Sequence, residues 1–372
     1  MRWYSTWNRQ RFSNPGPCPA MDRRGYLTSA ATAGTLAVAG CLEQLGFEEE
    51  SIWRNPPMVE DRPDAVYIPP AVEEMGTYGS DMAGPYAVSL TYTVPHRFWI
   101  VSEGRERVEV TDDDTHHLMC QVWDPQTDTV LPADLSVTLE GPGEDLEFTP
   151  WPMISQRMGV HYGDNVALPE EGRYSATVTV GPLEVAGHGA LADFEGTERT
   201  TFAFTYEHDD IHDLAFDVLD EDEWGERDAL SVMEHDDHGH DDAVGHPAVS
   251  VGPPVEELPG TRLGTERSAD AAVSAFLQED GPDGGRYLAV TLRTPHTDSY
   301  LPFASIQAET GGQSVPLEEA IDEDRGHHYG ATLENEPGEA VTVTVVSPPT
   351  VARHMGYETA FLEFDDVSFP LE

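Results

Sequence analysis

The chain has 372 residues, and its 69 Asp and Glu stand against 20 basic residues, all arginine, for a formal charge of -49. So acidic a chain repels phosphate, which excludes nucleic acid and anionic membrane surfaces as partners. The acid is spread along the whole sequence and lysine is absent, a balance that keeps a surface hydrated in strong salt and fits a halophilic archaeon; a generically acidic protein is the alternative.

Residues 1–41 read as an export signal. Met21-Asp22-Arg23-Arg24-Gly25-Tyr26-Leu27 is a twin-arginine start, and small apolar residues follow from Thr28 to Gly40. Val38-Ala39-Gly40-Cys41 resembles a lipobox, which would make Cys41 the lipidated first residue of the mature chain. Residues 1–20 lie upstream of a second start at Met21. The apolar stretch is too short to span a bilayer, so a lipid anchor on the outer face of the cytoplasmic membrane is expected. Residues 42–74, rich in Pro and Glu, read as a tether. With Cys41 lipidated and Cys18 upstream, Cys120 is left without a disulfide partner and reads as a small buried hydrophobe.

Beyond the tether, period-two apolar runs bounded by Pro and Gly dominate, among them 86–94, 118–123, 135–139, 174–180, 201–206, 287–292 and 340–346. Short strands at this spacing predict an all-β chain of β-sandwiches. Several strings recur in order. YAVSLTYTVPH ending at His96 answers YLAVTLRTPH ending at His296, and the LPADLSVTLEG from Leu131 answers the LPFASIQAETGG from Leu301. His161-Tyr162-Gly163 answers His328-Tyr329-Gly330, and His188 answers His354. The pattern predicts a duplication, with one copy at 75–207 and a divergent one at 266–372. Residues 208–265 lie between them. Within 207–242 there are 16 acidic residues and one Arg, so a mobile linker is expected, with weak capture of divalent metal by His208, His212, His235, His238 and His240 as the alternative.

The repeat keeps imidazoles in particular, which points to metal rather than to core packing. His96, His161 and His188 in the first copy, and His296, His328 and His354 in the second, are separated too widely for a compact zinc knuckle. Imidazole suits Zn, Cu and Fe, and Met153 and Met158 near His161 shift the preference toward copper or another soft redox ion. Aligning from Phe148 with Val315 sets Met153 opposite Ala320 and Met158 opposite Arg325, so two sites would be unequal. His116 and His117, after Asp112-Asp113-Asp114, read as a polar loop. There is no GxSxG, P-loop, dinucleotide fingerprint or HExxH, which points to binding rather than turnover.

The run PMISQRMGVHYG, followed by EEGRYSATVTV, His188 and the TTFAFTY strand, resembles the periplasmic high-affinity iron-transport accessory family. The likeness is clearest over residues 148–206, and copy two looks like a divergent relative. The resemblance implies immunoglobulin-like sandwiches, a dimer, Fe2+ or Cu2+/Cu+ as the ion, and a membrane iron permease as partner. It also implies that Met153, His161 and His188 are ligands, with His96 standing in for the early-strand residues at a position that is not the family's. A structural or adhesion lipoprotein of immunoglobulin-like repeats is the alternative reading, and a copper-dependent oxidoreductase a further one.

Overall fold

A computed structural model describes residues 56–102, 104–192, 194, 196–233, 250–282 and 284–371. The export signal, Cys41, the start of the tether and His235, His238 and His240 lie outside them.

The described chain is nearly all β, in two sandwiches. In the first, one sheet runs in the order Gly76–Ala83, Tyr86–Thr93, His116–Asp124, Gly159–Val166, Trp151–Ser155. It faces a four-stranded sheet of Glu198–Tyr206, Gly172–Leu183, Ala133–Glu140 and Leu146–Phe148. The four-stranded sheet alternates buried and exposed residues along Ala133–Glu140 and Glu198–Tyr206, as a sheet wet on one face does. Its inward Val137, Val178 and Phe202 meet Leu90, Cys120 and Val122 of the larger sheet in one core. His116–Asp124 is buried throughout, because its second face is covered as well. Part of that cover is Tyr300 of the second sandwich, which packs with Trp123 and donates its hydroxyl to the Val130 carbonyl at 2.9 Å.

The second sandwich repeats this order with Thr261–Ser268, Ala271–Gln278, Tyr287–Arg293, Gly326–Thr332 and Gln313–Asp322. Its opposite layer is Ser305–Thr310, Ala340–Ser347 and Val367–Pro370. Gln313–Asp322 joins both layers, pairing with Ser305–Thr310 through its first half and with Gly326–Thr332 through its second. The corresponding stretch of the first sandwich is broken at Thr149-Pro150 into Leu146–Phe148 and Trp151–Ser155.

Sheet position changes one of the matches drawn from sequence. Tyr86–Thr93 is second in its sheet, whereas Tyr287–Arg293 is third and corresponds to His116–Asp124. Tyr162 pairs with Cys120 as Tyr329 pairs with Val290, which sets Tyr287 opposite His117 and leaves His96 and His296 unrelated. Strands of alternating apolar residues resemble one another whatever their place, so that string carried pattern without register.

Each sandwich also lends a short strand to the other. Ala352–Arg353 inserts in parallel beside Trp151–Ser155, with Met153 opposite Ala352, and pairs on its far side with Phe98–Val101. Reciprocally, Ala186–Gly187 runs in parallel beside Gln313–Asp322, with Ala186 opposite Ala320. The backbone N–H of His354 donates to the Ile154 carbonyl at 3.1 Å, and that of His188 to the Ile321 carbonyl at 2.9 Å.

The tether and linker are partly ordered. Val66 is buried in the second sandwich's core, and Ala71–Glu73 pairs with Phe216–Val218 of the acidic segment. Farther on, Leu230 donates its N–H to the Gln156 side chain at 2.7 Å and Met233 to the Arg157 carbonyl at 3.0 Å. Among the described residues no helix is long and apolar enough to cross a membrane.

Candidate metal centre

On the outer face of the first large sheet, four imidazoles converge. His117 enters from His116–Asp124 and His161 from Gly159–Val166; His96 follows Tyr86–Thr93, and His354 arrives on the exchanged strand. His117 lies on the strand face opposite to Leu118, Cys120 and Val122, which fill the sandwich core. Ligand atoms of His96, His117 and His354 all lie within 4.8 Å of one another. His161 joins them through His354, Nε2 to Nε2, at 3.1 Å. Ring centroids separate His96 from His117 by 4.0 Å and His161 from His354 by 4.9 Å. His117 and His161 are wholly buried, His96 is nearly so and His354 half-buried.

The hydrogen bonds behind these rings fix which nitrogen is free. His96 Nδ1 lies 3.2 Å from the Val94 carbonyl and His161 Nδ1 3.0 Å from the Gly159 carbonyl, so each Nδ1 carries the proton and donates. Asn165 gives its Nδ2–H to the His96 carbonyl at 2.9 Å, which orients its amide and leaves Oδ1 to accept from His117 Nδ1, also at 2.9 Å. Three Nε2 lone pairs therefore point inward. The Nε2 atoms of His96 and His117 are buried with no hydrogen-bond partner, a costly arrangement unless something electrophilic occupies the space between them. His161 has its proton on Nδ1, so the short contact to His354 is a bond donated by His354 Nε2–H.

Burial holds His117, His161 and His354 neutral. His161 is pushed down to about 4 by desolvation, with a smaller repulsion from His96 that the Gly159 bond opposes. His117 and His354 are lowered well below the usual histidine value, first by desolvation and then by the neighbouring imidazoles. Neutral rings are ligands, so the donors stand ready without losing protons. Gly163 makes room for them: a Cβ there would lie 2.7 Å from His117 Nε2.

Met153 sits directly opposite His161 in the antiparallel pair, on the same face, fully buried with Phe98 and Ala352. Of the residues singled out by sequence, His96, His161 and Met153 thus share one site. His188 is not with them; it lies on the strand lent to the second sandwich, next to Gln313–Asp322. His354, assigned by sequence to a second site with His328, completes the first instead. His296 stands apart as well, 3.5 Å from Asp228.

The corresponding place in the second sandwich holds different chemistry. His328 occupies the His161 position and donates Nδ1–H to the Gly326 carbonyl at 3.0 Å, but its Nε2 meets the Tyr287 hydroxyl at 3.1 Å. Tyr287 takes the place of His117, and Ala320 that of Met153. Arg325 lies buried beside them, ion-paired to Asp322 at 2.6 Å and bonded to Gln278. A fixed guanidinium already supplies the positive charge there.

His117 was missed because Asp112-Asp113-Asp114 made His116-His117 look like a solvated loop; both rings are buried at the head of a strand. The useful signal was the alternation His117, Met119, Gln121 against Leu118, Cys120, Val122, which places an imidazole, a thioether and an amide together on a second face.

The comparisons with known proteins are sparse. The family described as "Domain of unknown function (DUF7350)" matches residues 256–370, the second sandwich. No curated protein matches the chain. Among solved structures the chain is similar to a copper-bound variant of FetP from uropathogenic Escherichia coli strain F11, at 17% identity and a TM-score of 0.29, over 36% of this chain and 97% of that one. It is likewise similar to FetP of that strain in its as-isolated form, at 19% identity and a TM-score of 0.29, over 36% and 96%.

Proposed function

We propose that this protein is an extracytoplasmic metal carrier, anchored through Cys41, whose cargo is held by His96, His117, His161 and His354 beside Met153. The observation that carries the reading is the convergence of imidazole Nε2 atoms, two of them buried and unpartnered, with His354 supplied by the other sandwich. A cation placed there would accept the lone pairs and draw the His354 proton off the shared contact, so binding needs a tautomer shift of one ring and little else. An all-nitrogen neutral set favours copper over Fe2+ by the usual affinity order, and the adjacent thioether pulls the same way; Fe2+ is the weaker cargo. The acidic surface concentrates cations near the pocket, and a membrane iron permease is the recipient implied by the resemblance in sequence. The proposed role of these groups is to hold and release an ion.

The test is metal analysis of residues 41–372 with Cys41→Ser, in molar salt, after exposure to Cu2+ or, anaerobically, to Fe2+. About one ion per chain is expected, lost in His161→Ala and kept in His328→Ala. No tight binding in the wild type would overturn the reading and leave a structural surface module. Binding that survives both substitutions would point to the acidic segment.

A further inference from the structure

A pocket opens onto the histidine centre, and its walls are rich in sulfur. Met75, Met119, Met158, Met233 and Met355 line it, five of the chain's ten methionines. They come from five separate places. Met75 precedes the first strand of its sheet, Met119 stands on His116–Asp124, Met158 is in the turn before Gly159, Met233 lies within the acidic segment, and Met355 follows His354. No run of sequence brings them together; the fold does. An apolar pocket filled without regard to chemistry would draw mostly on Leu, Ile and Val, yet this one has only Leu230 and Val72 of that kind.

Its floor is His96 and His354, so the pocket and the imidazoles share two residues. The space is about 90 Å³, ample for an ion that still carries part of its hydration. His96 contributes a buried Nε2 without a hydrogen-bond partner. Arg157 and Arg97, the latter ion-paired to Glu109 at 3.0 Å, also line the walls, with Glu73 as the lone carboxylate among the lining residues. Arginines repel a dication twice as strongly as a monocation at the same distance. Thioethers are neutral and soft, bind d10 monovalent ions in preference to hard dications, and adapt through their flexible stems.

We propose that this pocket is a thioether vestibule that receives a soft monovalent cation, of the Cu(I) class, and passes it down to the imidazoles. The proposal rests on reading the imidazoles as a metal centre, but it adds the oxidation state of the arriving ion and the residues that meet it first. No electron transfer is involved: the ion enters as Cu(I) and changes only its ligands.

The experiment uses the mature chain with its methionine methyl groups carbon-13 labelled, under argon with ascorbate, in molar sodium sulfate free of chloride. Cu(I) is titrated while the methyl resonances are followed by NMR, and affinity is read by competition with a chromogenic Cu(I) chelator. The methyl signals of Met75, Met158 and Met355 should move on addition of Cu(I) and stay in place with Zn2+. The triple variant Met75→Leu/Met158→Leu/Met355→Leu, nearly volume-conserving, should lose Cu(I) affinity on the order of 10–100-fold while keeping its Cu2+ binding. Methyl signals indifferent to Cu(I) in the wild type, or a triple variant that holds Cu(I) as tightly, would overturn the vestibule. If His161→Ala abolishes Cu2+ binding while the methyl signals ignore Cu(I), the imidazole centre stands and the vestibule falls. If Cu(I) moves the methyl signals but neither Cu(I) nor Cu2+ affinity changes in His161→Ala, the vestibule stands and the centre falls.

Discussion

His354→Ala separates a site read from sequence from the one assembled in space. In the ion-free protein the change removes one hydrogen bond between neutral groups, ~0.5–1.5 kcal/mol, and some packing of a half-buried ring. The backbone bond to Ile154 remains, so the exchanged strand stays in place. With the ion present the effect is larger. At a hundredfold excess of free Cu2+ over Kd the bound ion stabilises the fold by about 2.7 kcal/mol. Loss of one ligand weakens binding on the order of a hundredfold, which brings free ion near Kd and leaves about 0.4 kcal/mol. The difference, roughly 2.3 kcal/mol, corresponds to about 5 °C in Tm for a chain of this size. Scanning calorimetry with and without Cu2+ in molar salt reads it directly. His188→Ala, at the matching position of the reciprocal strand, should keep the full copper-induced shift. If His188→Ala loses the shift and His354→Ala keeps it, the assembly described here is refuted.

Gly163→Ala should drive a methyl group into His117 Nε2 and reduce copper affinity on the order of tenfold or more, with the far-ultraviolet circular dichroism unchanged; wild-type affinity would show that His117 is not a ligand. Glu358→Ala removes a buried carboxylate that receives Arg62 at 3.1 Å, the Tyr67 hydroxyl and the Gly356 N–H at 2.8 Å, and should cost about 3 kcal/mol by denaturant titration, because buried partners are left unpaired. As it also frees the loop after His354, copper affinity should fall with it. Acid should destabilise the ion-free fold from pH 6.5 downward. His116 is pushed to about 3, His161 and His328 to about 4, and His117 and His354 well below 6.5, all by burial, so the unfolded chain takes up protons that the folded one refuses. Each such ring removes ~1.4 kcal/mol per pH unit through that window, and stability is fully present above it. Asp164, raised to about 6 by burial, and Glu184 and Asp270, raised in the same sense, act in the opposite direction but are three groups against five. A flat melting temperature between pH 6.5 and 4 would contradict these neutral histidines.

The all-β layering was legible because alternation of apolar residues is a local property: Ala133–Glu140 and Glu198–Tyr206 alternate in the sequence and in the sandwich alike. Central strands were harder to place. Tyr86–Thr93 and Tyr287–Arg293 are buried on both faces, so their side chains no longer report sheet position and their resemblance misled the repeat alignment. The acidic segment looked too polar to order; Ala71–Glu73 and Phe216–Val218 pair as a two-stranded ribbon, an event that composition cannot register.

The histidine centre shows the same limit more sharply. Its imidazoles come from positions 96, 117, 161 and 354, and only the match around His161 has local sequence context. Counting imidazoles per copy gave each copy its own three, which is the natural result of comparing two halves of a chain. The reciprocal strands undo that count. Ala352–Arg353 carries His354 into the first sandwich, while Ala186–Gly187 carries His188 into the second, so each copy's late histidine belongs to its neighbour's site. In the second sandwich the exchange delivers His188 toward a place where Tyr287, Ala320 and Arg325 have replaced His117, Met153 and Met158. There Arg325 is ion-paired to Asp322 and the His328 Nε2 meets the Tyr287 hydroxyl, whereas in the first sandwich the Nε2 atoms of His96 and His117 are buried without a hydrogen-bond partner. The two sandwiches therefore differ: the first gathers His96, His117 and His161, and the second supplies the strand that brings His354 to them.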